Sequence, residues 1–264
     1  MQYEGTGFLP RILAIAANAF REAVRDRILY NLIIFVLLLS ASAIFLGELS
    51  AGQEARVITN LGLSAILIFG TFISIFVGVS LVWKEIEKRT VYSIFAKPVR
   101  RSEFIVGKYL GLCLTIFVNT AIMGLGVSIA LLYVGDSSGA MTVWPAILLI
   151  FLQLMMVIAV AITFSSFSTP ALSAMLTFLI FVIGHFSTSL RELGAGMGSS
   201  ASRAILEGIY YVLPNYSRLT LITEASNGMR PTGQMLGFAA IYAAIYIVVL
   251  LTVAVTVFSR RNFK

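Results

Sequence analysis

The sequence predicts an all-α integral membrane fold with six transmembrane helices, and three observations carry that reading. First, hydrophobic residues fill 59% of the 264 positions and charged residues only 12%, with mean hydropathy +0.95. Soluble domains hold about 25% charged residues and give their helices a polar face; several segments here have none. Second, six apolar runs near 28–47, 61–83, 104–134, 143–164, 170–189 and 237–258 are long enough to cross a bilayer core, which takes about 20 helical residues. Third, the basic residues are unevenly shared among the connecting segments, as membrane topology requires.

Each element follows from its own pattern. Residues 9–27 carry Ile12, Ala16, Phe20 and Val24 at i, i+4 spacing, with Ala19 and Ala23 on the same face. Arg21, Glu22, Arg25 and Asp26 lie away from it. That segregation predicts an N-terminal amphipathic helix lying in the inner membrane interface. The apolar run after it starts too late and is too long for a signal-peptide core, so it reads as a retained span. None of the six spans has a charge near its centre. One central Arg, Lys or Asp would cost about 2.5–3.5 kcal/mol of insertion free energy, against roughly 0.3–0.6 kcal/mol gained per Leu, Ile, Phe or Val. Lys108, near the start of the third span, is expected to snorkel to the headgroups.

With the N-terminus inside, 14 of the 19 Lys and Arg residues fall on the inner side. Both termini are therefore expected in the cytoplasm, in a cell (plasma or inner) membrane. The net charge of +7 reads as topology, and no nucleic-acid partner is expected. Residues 48–60 and 135–142 form short outer loops, whereas 190–236 form a long one. In the long loop, Ile205, Ile209 and Val212 keep helical spacing until Pro214, which predicts an outer-face helix. Tyr210, Tyr211 and Tyr216 suit a membrane interface. The connection 165–169, SSFST before Pro170, predicts a tight turn with Pro at the first helical position.

The most charged interruption is residues 83–108, WKEIEKRTVYSIFAKPVRRSEFIVGK. Within it Val91, Ile94 and Phe95 share a helical face, Pro98 closes a turn, and Ser102 is placed to cap the third span with Glu103 in its first turn. Two readings of these residues stand open: a short helix across the cytoplasmic mouth, or a solvated basic loop that only fixes topology.

This segment resembles the signature of ABC-2-type transporter permeases. The resemblance rests on the acidic end of the second span, the Arg89-Thr90 step where Gly-Thr is usual, and the short apolar helix. It continues through the Pro98-to-Phe104 stretch to Gly107-Lys108, with Leu213-Pro214-Asn215 ahead of the last span. It implies that residues 1–264 form one transmembrane permease domain. In that family the loop after the second span holds a coupling helix seated in the ATPase subunit. Carried over, the contact residues are Glu87, Arg89, Thr90, Val91, Ile94, Phe95, Arg100 and Arg101. The resemblance also implies a second permease copy, as homo- or heterodimer, a cytoplasmic ABC ATPase subunit, and outward movement of substrate across the lipid bilayer.

Missing motifs narrow the chemistry. No G-x-x-x-x-G-K-[ST] occurs, so the chain has no P-loop to cradle ATP phosphates; no cofactor is expected here, ATP being held by the partner. No enzymatic, catalytic or metal site is expected: His185 is the one histidine and Cys113 the one cysteine, and neither has clustered partners. Asn119 and Gln153 are read as hydrogen-bonding between helices. Two other classes remain: a non-transporting membrane anchor or assembly factor that binds a cytoplasmic partner, and an intramembrane enzyme, which would need a cluster of ionisable residues at membrane depth.

Overall fold

A computed structural model describes residues 8–25, 34, 35, 38, 42, 52–87, 100–196 and 200–260. Among these the elements are helical. They are α1 (Phe8–Arg25), α2 (Glu54–Glu87), α3 (Arg101–Tyr133), α4 (Ser137–Ser165), α5 (Pro170–His185), α6 (Ser187–Gly196), α7 (Ser200–Val212), a 3-10 turn (Tyr216–Leu219), α8 (Ile222–Ser226) and α9 (Gly233–Arg260). Four of them, α2, α3, α4 and α9, are long and apolar enough to cross a membrane, and α5 with α6 makes a fifth candidate bent by 60°. The predicted first span, 28–47, lies outside the described residues except at Ile34, Phe35, Leu38 and Ser42.

The helices are longer than the apolar runs that predict them. α2 has 34 residues, roughly 51 Å at 1.5 Å per residue, against a hydrocarbon core of about 30 Å. The predicted outer loop 135–142 shrinks to a tight reversal. The Asp136 N–H reaches the Leu131 carbonyl and the Gly135 N–H reaches that of Leu132, with Gly135 at φ +88°. This is a Schellman ending for α3. Asp136 then caps α4, its Oδ1 accepting from the Gly139 N–H at 2.8 Å. Thr169 and Pro170 begin α5 with proline in its first turn.

α4 forms the centre and touches α2, α3, α5 and α9. Leu149, Ile150, Leu154, Met156 and Val157 along it are wholly buried. α9 leaves Phe238, Ile241, Ile245 and Val248 exposed, which is the surface lipid requires. Thr163 Oγ1 donates to the Leu250 carbonyl at 3.1 Å, and Ser165 Oγ to the Val79 carbonyl at 3.2 Å. These bonds join α4 to α9 and to α2.

Several polar expectations are corrected by packing. Among the described residues Asn119 does not bridge helices; its Nδ2 donates to the Thr115 carbonyl one turn back at 2.9 Å. Gln153 does bridge, accepting from Thr220 Oγ1 at 3.4 Å. Tyr216 is fully buried, not interfacial. Its ring lies 5.7 Å from that of Phe181, over Gly184, where a Cβ would collide with it.

α1 is fastened to the start of α3. Its small stripe, Ile12, Ala16, Ala19 and Ala23, is buried, while Phe8, Leu9 and Leu13 stay exposed. Opposite lies Gly107-x-x-x-Gly111. A Cβ at Gly107 would sit 2.8 Å from Ile15, and one at Gly111 would meet the Ala16 carbonyl and the Ala19 Cβ. Small residues on both sides bring the two backbones close, which is how helices associate in lipid. Lys108, between the two glycines, is 1% exposed and does not snorkel. Its Nζ lies 3.4 Å from Glu22 Oε2 and 5.9 Å from the centroid of the Phe104 ring.

Removing one partner of a buried ion pair strands the other charge and costs about 3–5 kcal/mol. Glu22 is 27% exposed and Lys108 has further contacts, so Glu22→Gln should cost less than that, about 2 kcal/mol. Combined with Lys108→Met the loss should be less than additive, because the two residues share one contact. Thermal unfolding in detergent, followed by circular dichroism, checks both variants.

Candidate functional site

The charged segment predicted to dock a partner springs from the end of α2 and the start of α3. Arg89, Thr90, Val91, Ile94 and Phe95 lie outside the described residues. Glu87 is the last residue of α2. The description resumes at Arg100, which is exposed and forms the N-cap of α3. Ser102 is therefore not the cap. The Arg100 carbonyl accepts the first helical bond, from the Phe104 N–H at 3.2 Å. Its own N–H donates to Glu103 Oε2 at 2.9 Å, the reciprocal bond of a capping box. Glu103 is 2% exposed, so its charge is spent on the helix end and not offered outward.

Arg101 behaves differently from Arg100. Its Nη1 donates to the Phe258 carbonyl at 3.1 Å and also to that of Ser259. Both carbonyls belong to the last turn of α9, where helical partners run out and the macrodipole is negative. Phe104 stacks on Phe258 with ring centroids 5.8 Å apart and planes 18° apart. The foot of the charged segment is thus clamped to the end of the last helix. Of the predicted contact residues, Arg100 faces outward and Arg101 faces into the chain.

Sequence reasoning missed this clamp, although a signal was present. A cation in the first turn of a helix opposes that helix's own dipole. Arg101 breaks the local rule on α3 because it serves the opposite end of α9. The Lys108–Glu22 pair was missed for a related reason: 86 residues separate its members.

At the far end of the bundle, guanidinium groups converge on Tyr210. Arg218 Nη2 donates to the Tyr210 hydroxyl at 2.9 Å, and the Arg191 guanidinium lies 4.8 Å over its ring. The Arg218 hydrogen bond leads in holding the Tyr210 phenol below its usual pKa, and the charges of Arg218 and Arg191 add to it. His185 sits between Phe181 and Phe186 at the α5–α6 bend. Among the described residues no cluster of His, Cys, Asp or Glu could hold a metal.

Arg101→Gln should destabilise the protein by about 2 kcal/mol, the scale of hydrogen bonds from a charged group, and Arg101→Lys by less. The check is the thermal midpoint in detergent. Spectrophotometric titration should also reveal an early-ionising phenol that Tyr210→Phe removes and Arg218→Gln shifts to higher pH.

A family model described as ABC-2 family transporter protein matches residues 13–263. A comparison with curated proteins found no match.

Proposed function

The chain belongs to the ABC-2 transporter family and is a multi-pass membrane permease of an ABC transporter; from that premise we propose how it is arranged and coupled. It crosses the membrane six times, with 28–47 as the first span and the bent α5–α6 pair as the fifth. Both termini are cytoplasmic, in the inner or plasma membrane. α1 lies along the inner interface, with its exposed Phe8, Leu9 and Leu13 toward lipid. Two permease copies, alike or different, form the substrate pathway, and a separate ATPase binds and hydrolyses ATP. Substrate moves outward.

Coupling runs through the segment between Glu87 and Arg101. Val91, Ile94 and Phe95 form the apolar face that enters the ATPase, while Glu87, Arg89, Thr90 and Arg100 line its charged border. The observation that carries the reading is the family match over 13–263, joined to a chain without a P-loop. Energy for transport must then enter through a contact with another subunit. What supports this segment as that contact is its concentration of charge and the Arg101 clamp at its foot. Force applied to the segment has a direct route into α3 and α9.

Val91→Asp, Ile94→Asp and Phe95→Asp together should abolish ATP-dependent transport in liposomes reconstituted with the cognate ATPase. Insertion and yield should stay near wild type. Full transport by the triple variant would overturn the coupling assignment. No transport by the wild-type complex, with the ATPase still bound, would favour an anchoring role.

A further inference from the structure

At the end of the bundle opposite the Glu87–Arg101 segment lies a cleft of about 550 Å³. That is ligand-sized, yet its wall is largely polar. Three stretches far apart in sequence build it: the start of α2, the α3–α4 reversal, and the turn after α8. The third is another Schellman ending. The Met229 N–H reaches the Glu224 carbonyl and the Gly228 N–H reaches that of Ala225, with Gly228 at φ +74°. This turn delivers Arg230 to the cleft, facing Arg56 on α2.

We propose that this cleft binds a phosphate-bearing group. Arg56 and Arg230 both line it, and among the described residues neither has a carboxylate in ion-pair range. Arg230 Nε donates to Thr142 Oγ1 at 3.2 Å, which orients the guanidinium and leaves its Nη groups for a ligand. A guanidinium presents a planar fork of donors that matches phosphate oxygens. Thr59, on the cleft wall, is 4% exposed. Its hydroxyl makes no hydrogen bond among the described residues and stays accessible. Asp136 is the cleft's carboxylate. It is engaged by the Ser138 hydroxyl at 2.9 Å and the Gly139 N–H at 2.8 Å, so two guanidinium charges face one already-solvated anion.

The phosphoryl group could belong to a membrane lipid or to a dissolved phosphate ester, and the test separates them. The full chain, purified in a neutral detergent, is titrated with inorganic phosphate in one arm. In the other it is titrated with short-chain phosphatidylglycerol, with the matching diacylglycerol as phosphate-free control. Native mass spectrometry and thermal stabilisation read the binding.

Saturable binding in either phosphate arm, weakened about tenfold or more by Arg56→Gln with Arg230→Gln, is the expected result. Phosphate alone would identify a soluble ligand, and the lipid alone a headgroup site. No saturable binding of either probe at millimolar concentration overturns the proposal. So does wild-type affinity in the double variant, or equal binding of diacylglycerol. Should the double variant fail to fold, Arg230→Gln alone replaces it, and unchanged affinity there overturns the proposal equally.

Discussion

The first two turns of α3 hold the fold together, because two cations there satisfy polar groups that belong to other helices. Arg101 closes the carbonyl end of α9, and Lys108 meets Glu22 of α1. Away from bulk water a polar group left unpaired is costly. Each bond is therefore worth less for its own strength than for the penalty avoided. The apolar contacts around them, Phe104 on Phe258 and Ala19 against Gly111, keep water out and hold the geometry. In the coupling proposed above, some part of the chain must connect the loop with the spans. This short stretch connects it to two helices at once.

The two ends of the bundle are built on different principles. At the Glu87–Arg101 end, among the described residues, Arg101 and Glu103 are spent inside the chain and Arg100 is left outward. At the opposite end, Arg56 and Arg230 border a polar cleft, while Arg191 and Arg218 converge on Tyr210. Between them α4 is packed mostly with apolar side chains, with Gln153 bonded to Thr220 and Thr163 to the Leu250 carbonyl.

Much of the fold was legible because lipid makes strong demands on sequence. Apolar runs must be helices, and α2, α3, α4 and α9 occur where such runs stand. Their ends were less legible. Hydropathy stops where the polar caps begin, so α2 started seven residues before its predicted span and the 135–142 loop became a Schellman turn. Gly135 and Asp136 held that information as capping chemistry, not as hydropathy. Of the site, the location of the charged segment was readable, but not the split between Arg100 and Arg101. Adjacent residues on a helix point about 100° apart, and only the neighbour decides which one is used.

By itself the sequence determined that this chain is a helical membrane protein, with charge gathered in one connecting segment and no P-loop motif. Those are properties of composition and local pattern, which need no partner in space. The tertiary structure decided what individual polar residues do: Arg101 a helix cap, Lys108 a buried counter-ion, Tyr216 a core ring, Arg56 and Arg230 two walls of one cleft. Each of those roles pairs residues tens to more than a hundred positions apart. A charge or hydroxyl acquires its role from the group it faces, and that group is set by how the helices pack.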